Sequence, residues 1–170
     1  MNMPIVNLLE EARQLSESGQ RVRVLWQQPD TLVFIARGRE YRSEFHINPS
    51  DETMYMIQGE MRLHYRTPEH KEKVAVISEG SMIYTPAGTP HSPRFPANAF
   101  ALISERKRRE NEIDRFHWYC RKCDALLHEE TFTVNDYADD PVSKAYARFF
   151  GSTEFRTCTC GEVMAAPESI

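Results

Sequence analysis

The fold of this chain is decided by the stretch Gly80-Ser-Met-Ile-Tyr-Thr-Pro86-Ala-Gly88-Thr-Pro-His91. Its apolar middle is typical of a short strand, and Pro86 and Gly88 are residue types that form tight turns. A turn at this point delivers His91 into the interior of the sheet that the strand belongs to. The stretch therefore predicts a histidine that faces inward from a β-rich domain.

The complementary residues lie upstream, in the order Glu44-Phe-His46, Glu52 and Gly59. His46 ends one predicted strand and Glu52 opens the next, so a hairpin can direct both side chains to the side that His91 faces. Two imidazoles and one carboxylate on one face leave coordination positions open, which is the arrangement of non-heme Fe(II) oxygenases. The sequence thus predicts one Fe(II) held by His46, Glu52 and His91.

Short strand-like segments surround both motifs, and turn residues separate them. They cover 22–26, 31–36, 41–46, 54–58, 61–65, 74–77, 81–84 and 100–103. Apolar residues at helical spacing predict an N-terminal helix over 5–18, and Gly19 ends it. The second motif fits the cupin pattern G-x5-P-x-G-x2-H at every fixed position, and Glu44 stands where the other cupin motif has its first histidine. We therefore expect a mainly β fold, a cupin or jelly-roll antiparallel β-barrel, over residues 1–113.

Residues 114–170 form a predicted C-terminal extension packed on the barrel. Its two cysteine pairs are Cys120-x2-Cys123 and Cys158-x-Cys160. Four thiolates arranged tetrahedrally suit Zn(II) or a rubredoxin-type iron, and a closed shell of this kind is structural rather than catalytic. Four unrelated buried thiols are the alternative.

Composition narrows the class of protein. The formal net charge is −4, which gives no basic face for nucleic acid. We interpret the basic run 106–109 as a solvated surface segment, because Glu105, Glu110 and Glu112 flank it. No apolar run approaches the length of a bilayer span and no secretory signal is visible, so a cytoplasmic location is expected.

Four segments together resemble the 3-hydroxyanthranilate 3,4-dioxygenase family, in particular its bacterial members with a C-terminal rubredoxin-like metal site. They are Tyr41-Arg42-Ser-Glu-Phe-His46, the turn from Pro86 to Pro93, Ile103-Ser-Glu105-Arg106 and Phe116-His-Trp118-Tyr119-Cys120-Arg-Lys-Cys123. The resemblance implies extradiol-type opening of 3-hydroxyanthranilate by Fe(II) and dioxygen, and a homodimer. The product would be 2-amino-3-carboxymuconate semialdehyde, the precursor of quinolinate.

The resemblance also implies roles for individual residues beyond the three iron ligands. Arg42 matches an arginine near dioxygen, Glu105 and Glu52 match residues that contact substrate, and Arg94 matches the arginine that binds the substrate carboxylate. A planar guanidinium suits that bidentate contact, and a carboxylate at Glu105 can accept a substrate proton.

Two departures from the family pattern lie near the expected substrate pocket. His91-Ser-Pro-Arg94 is one residue shorter than the family's spacing, and Ser16 to Arg23 replace a Pro-rich segment that contains asparagine. Two other functions therefore remain open. One is an Fe(II) cupin oxygenase for a related aminophenol or another hydroxy-aromatic acid, and the other is a non-catalytic metal-dependent binding module.

Overall fold

The computed structural model of the protein describes residues 3–39, 41–137 and 141–167. Its helices are α1 (Leu8–Ser18), α2 (Pro141–Gly151) and α3 (Thr153–Arg156). Its strands are β1 (Val22–Gln28), β2 (Thr31–Arg37), β3 (Phe45–Ile47), β4 (Glu52–Gln58), β5 (Glu60–Arg66), β6 (Glu72–Ser78), β7 (Met82–Thr85), β8 (His91–Arg94), β9 (Phe100–Glu105), β10 (Asp114–Tyr119) and β11 (Leu126–Phe132). None of the described helices has both the length and the apolarity needed to cross a bilayer.

The strands form two antiparallel sheets. One has the order β1-β2-β9-β4-β7 and the other the order β11-β10-β3-β8-β5-β6. The mainly β, antiparallel class predicted from the sequence is confirmed, although the two sheets do not join into a closed barrel in the described residues. Side chains from both sheets meet between them, and Met54, Met56, Met61 and Leu63 are among the buried apolar residues of this core.

Helix α1 covers the outer face of the five-stranded sheet. The side chain of Asn7 accepts hydrogen bonds from the amides of Leu9 and Glu10 and caps the helix. Gly19 ends the helix with φ +71°, a left-handed conformation that a glycine adopts without a Cβ penalty. Leu15, on the inner face, is fully buried.

Three strands were not predicted, namely β8, β10 and β11. Strand β8 has the sequence His-Ser-Pro-Arg, which lacks the alternation of apolar and polar residues by which strands are found. In β10, buried Asp114, Phe116 and Trp118 alternate with more exposed residues, and the aspartate breaks the apolar pattern. The predicted strand over 41–46 is also shorter, because only Phe45–Ile47 is paired.

The C-terminal segment adds to the six-stranded sheet through β10, which pairs with β3 so that Phe116 lies opposite His46. Its helix α2 packs on the same strand. The rings of Trp118 and Phe149 stack with centroids 4.3 Å apart and planes 11° from parallel. Burial of two large aromatic rings favours docking of α2 by several kcal/mol, at roughly 25 cal/mol per Å² of apolar surface. The division at 113/114 stays a prediction.

Candidate active site

A cavity of about 500 Å³ lies between the two sheets and contains all three predicted iron ligands. Strand β3 contributes His46, β4 contributes Glu52 and β8 contributes His91. His46 and His91 are register partners on neighbouring strands, and their ring centroids are 5.6 Å apart. The walls between them are partly apolar, so the cavity can accommodate an aromatic ring beside these polar groups.

Glu52 and His91 are in direct contact. Nε2 of His91 lies 3.1 Å from Oε2 of Glu52, and both side chains are more than nine-tenths buried. Nδ1 of His91 donates to the Thr89 carbonyl at 2.8 Å, so Nε2 is the nitrogen that faces Glu52. Burial acts to raise the pKa of Glu52, but His91, His46 and Arg108 outweigh it and lower that pKa. Glu52 is therefore ionised at neutral pH.

His46 has a different partner. Its Nε2 lies 2.6 Å from Oδ2 of Asp114, a fully buried residue on β10. Burial lowers the pKa of His46 although Asp114 opposes that shift, so the ring is neutral and can act as a metal ligand. The donor set of His46, Glu52 and His91 thus has the chemistry that a divalent cation requires.

Glu105 lies in the same cavity at the end of β9, opposite Glu52 in the sheet register. Its Oε2 accepts hydrogen bonds from Asn48 at 3.0 Å, Ser50 at 3.1 Å and Arg108 at 2.9 Å. Burial, followed by the charge of Glu52, raises the pKa of Glu105 to about 7 although Arg108 opposes the shift. A carboxyl group that titrates near neutral pH is suited to proton transfer.

Arg108 holds two buried carboxylates at once. Besides Glu105, it binds Asp114 through two hydrogen bonds, Nε–Oδ1 at 2.6 Å and Nη2–Oδ2 at 2.8 Å. The sequence placed Arg108 in a solvated basic run, which is wrong because its side chain is only 6% exposed. The chain turns after β9, so the guanidinium folds back towards the cavity. Asp114 in turn contacts His46, and this network links a predicted ligand to Glu105.

Arg42 lies at the cavity and is held by Glu44. Nε of Arg42 is 2.7 Å from Oε1 of Glu44, a fully buried carboxylate. The other oxygen of Glu44 accepts a hydrogen bond from the hydroxyl of Tyr146 on α2, and that hydroxyl also accepts one from the Ser43 amide at 2.8 Å. Glu44 stands at the first-histidine position of the motif, but its two oxygens bind Arg42 and Tyr146.

Arg94 does not line this cavity. It lies in a second cavity of about 490 Å³ together with Phe45, Glu72 and Tyr119. Side chains alternate along a strand, and from β8 onwards His91, Pro93 and Phe95 face the first cavity. Nε of Arg94 donates to Ser92, and the guanidinium lies 5.7 Å from the centre of the Phe45 ring. The carboxylate contact expected for Arg94 is not available from this position.

The four cysteines come together in the C-terminal segment. The sulfur atoms of four cysteines all lie within 4.8 Å of one another, namely those of Cys120, Cys123, Cys158 and Cys160. Among the described residues, this is the group of three or more acidic, histidine or cysteine side chains whose ligand atoms are that close. The sulfurs of Cys120 and Cys160 are 3.7 Å apart, and those of Cys123 and Cys158 are 3.4 Å apart. A tetrahedral metal with bonds of about 2.3 Å to sulfur places its ligands ~3.8 Å apart, so the cluster fits such a site.

The surroundings of the Cys158 thiol favour its ionised form. The backbone amide of Cys160 is the largest influence on Cys158 and lowers the pKa of that thiol to about 6. Gly161 turns the short Cys-x-Cys loop with φ +85°. The turn lets both sulfurs face one point despite having one residue fewer between them than in a Cys-x2-Cys pair. A thiol with a depressed pKa is readily converted to the thiolate that metals bind.

Four residues of the site were missed from the sequence, namely Asn48, Ser50, Arg108 and Asp114. Asn48 also donates to Glu52 at 2.9 Å, so it joins the two carboxylates. The segment Asn48-Pro-Ser50 has the composition of an ordinary turn, and its sequence does not indicate that it contacts the carboxylates of the site. Asp114 would be a signal only if β10 had been predicted as a strand, since a buried carboxylate at an inward position requires a partner.

Comparisons with a family model and with known relatives point to the same family of proteins. Residues 2–150 match the family model described as 3-hydroxyanthranilic acid dioxygenase. A Bacillus cereus protein named 3-hydroxyanthranilate 3,4-dioxygenase is 33% identical over 167 residues, covering 98% of this chain and 92% of the relative. A Podospora anserina protein of the same name is 35% identical over 136 residues, covering 78% and 73%.

Solved structures support the fold. An RmlC-like cupin protein from Desulfovibrio desulfuricans has a TM-score of 0.50 and 16% identity, with 62% of this chain and 97% of that chain covered. A Bacillus halodurans protein has a TM-score of 0.52 and 17% identity, with 65% and 86% covered. The expected cupin fold is thereby confirmed.

Proposed function

Since the chain belongs to the 3-hydroxyanthranilic acid dioxygenase family, we propose that it opens the ring of 3-hydroxyanthranilate with dioxygen, giving 2-amino-3-carboxymuconate semialdehyde. The observation that carries the proposal is the contact between Glu52 and His91 inside a cavity that also holds His46 and Glu105. A dioxygenase of this family implies a metal cofactor. The cavity offers two imidazoles and an ionised carboxylate to hold it.

His46, Glu52 and His91 would hold Fe(II) in this proposal. His91 presents Nε2, and His46 can exchange its contact with Asp114 for the metal, since Arg108 continues to neutralise that aspartate. When bound, Fe(II) with open coordination positions supplies the means by which dioxygen reacts with an aromatic ring. Asn48 fixes the orientation of Glu52 through one hydrogen bond.

Glu105 would accept the proton of the substrate's 3-hydroxyl or 2-amino group. Its pKa of about 7 allows it to be ionised before the transfer and protonated after it. Arg42 lines the same cavity and is held by Glu44, so its charge is fixed in place. We assign Arg42 the stabilisation of negative charge that develops as dioxygen is reduced.

A second candidate substrate is an aminophenol without the carboxylate. It is favoured by one observation, the presence of Pro93 and Phe95 in the cavity where the sequence placed Arg94. An apolar wall at that point suits a ring that lacks a charged group there.

The function is tested by loading the protein with Fe(II) without oxygen and adding 3-hydroxyanthranilate and air. The proposal requires oxygen uptake with a transient near-ultraviolet chromophore from the opened ring. Turnover of 2-aminophenol alone would favour the second candidate. If neither compound causes oxygen uptake above background, the proposed activity is wrong and a non-catalytic binding module is favoured.

The four cysteines would hold a structural Zn(II) or iron, since a closed set of four thiolates leaves no position for substrate. We also propose that the chain forms a homodimer. Light scattering of the purified chain measures its molar mass in solution and so tests this.

A further inference from the structure

The proposed substrate carries a carboxylate, and a buried anion needs a cationic partner. Arg94, which the sequence suggested as the residue that binds this carboxylate, lies in the second cavity with Phe45 and Tyr119. The cationic side chains that do line the first cavity are Arg21, Arg37, Arg39 and Arg42. Arg42 is already paired with buried Glu44. Among the others, Arg37 has the position and the hydrogen bonding that suit this contact.

Arg37 and Arg39 flank Gly38, which is packed tightly against the segment after β8. A Cβ at position 38 would lie 2.2 Å from the Pro96 carbonyl oxygen and 2.3 Å from that of Phe95. The amide of Arg39 donates to the Phe95 carbonyl at 3.0 Å. Hence both arginines approach the cavity beside Phe95, at the end of the cavity where the sequence had placed an arginine.

Arg37 has the better defined geometry of the two. It ends β2, and its Nε donates to the Ala97 carbonyl at 2.7 Å. In the described parts of the chain its two terminal nitrogens make no hydrogen bond. These are the paired donors with which an arginine binds a carboxylate bidentately. Its backbone amide is held by the Arg21 carbonyl at 2.9 Å, which keeps Arg21 beside it.

We propose that Arg37 binds the carboxylate of the aromatic substrate. The inference rests on the proposed function, because it takes the substrate to be an aminophenol carboxylic acid. It assigns to β2 a contact that the sequence assigned to β8. The charge of Arg37 also attracts the anionic substrate into the cavity, whose carboxylates Glu52 and Glu105 lie opposite each other on β4 and β9.

The test compares 3-hydroxyanthranilate with 2-aminophenol, which lacks the carboxylate, on the Fe(II)-loaded protein. Anaerobic calorimetry measures the Kd of each compound, and oxygen uptake measures KM and kcat. For 3-hydroxyanthranilate, Arg37→Ala should raise both Kd and KM by roughly ten- to a hundredfold, the range for a hydrogen bond to a charged group. Both constants should stay unchanged for 2-aminophenol. Arg37→Lys should recover part of the loss.

Arg94→Ala is the matched control and should leave both Kd values as in the wild type. Equal weakening of both compounds by Arg37→Ala, or selective loss of the acid in Arg94→Ala or Arg39→Ala alone, would overturn the assignment. If the wild type turns over neither compound, the proposed function fails on its own. The ratio of the two Kd values then still decides whether Arg37 recognises the carboxylate.

Discussion

Tyr146, on a helix near the C-terminus, donates a hydrogen bond to Glu44, which stands two residues before the predicted ligand His46. Glu44 is fully buried and also holds Arg42 at 2.7 Å. The position and charge of Arg42 in the cavity therefore depend on packing of α2.

Removing that hydroxyl should destabilise the protein. Tyr146→Phe removes a donor from the Glu44 carboxylate and leaves the Ser43 amide only its longer bond to that carboxylate, at a cost of about 1–3 kcal/mol in the free energy of unfolding. Urea denaturation measures it. Tyr84→Phe is the control, since Tyr84 is 58% exposed and its substitution should change stability by less than about 0.5 kcal/mol. Equal stability of the two variants would argue against a structural role for the Glu44–Tyr146 contact.

Arg108 and its neighbour Arg109 should respond very differently to substitution. Arg108→Ala leaves the buried carboxylates of Glu105 and Asp114 without their cation, and breaking a buried pair costs roughly 3–5 kcal/mol. Arg109→Ala changes an exposed side chain and should cost less than about 0.5 kcal/mol. Similar denaturation midpoints for the two variants would show that Arg108 is solvated after all.

The predicted iron ligands should be separable from the fold. His91→Ala removes a donor that is 2% exposed, so the open-site iron should be lost while the circular dichroism spectrum is kept. Nitric oxide binds iron that has open positions, and the electron paramagnetic resonance signal of its adduct reports this site separately from a four-cysteine metal. His64→Ala is the control, since His64 pairs with Glu72 away from the cavity. A full adduct signal in His91→Ala would remove His91 from the ligand set.

Activity should depend on the ionisation of Glu105. Its pKa is raised to about 7 by burial and by Glu52, so the base form predominates only above that pH. We expect kcat/KM to rise between about pH 6 and pH 8 and to fall by roughly a hundredfold in Glu105→Gln, with that rise absent. Glu110→Gln, an exposed change, should keep the wild-type profile. A rise that persists in Glu105→Gln belongs to another group.

The cysteine cluster should behave as a structural metal site. Cys123→Ser removes one of four thiolates, and we expect metal loss and destabilisation of at least about 2 kcal/mol, which lowers Tm by roughly 4–8 °C in a chain of this size. Metal analysis and calorimetry measure both quantities. Chelator-treated wild type should show the same Tm as Cys123→Ser. Unchanged Tm in both would mean that the four thiols merely lie close together.

The sequence predicted the β-rich class and the residues that meet in the cavity because the motifs combine fixed spacing with turn residues. His46, Glu52 and His91 are separated by turns whose geometry depends on nearby residues. Partners distant along the chain could not be predicted in this way. Asp114 meets His46 only because β10 pairs with β3, and such pairing leaves no local signal.

The positions of Arg94 and Arg108 differ from those expected from the sequence, for two different physical reasons. In β8 the face of each side chain depends on its odd or even position, so a spacing one residue too short reverses the direction of Arg94. In the run 106–109, composition indicated solvent, but composition says nothing about which single side chain folds inward. Only the position of the chain after β9 determines that Arg108 is the buried one.

The alternation along β8 means that the number of residues after His91 determines which cavity receives the guanidinium of Arg94. One residue inserted after Pro93 would carry the guanidinium of Arg94 into the space that Phe95 now occupies, and would turn the phenyl ring outward. A single-codon insertion or deletion could thus transfer carboxylate recognition from one sheet to the other without replacing any side chain. Substrate preference among relatives should accordingly follow the count of residues between this histidine and the next arginine.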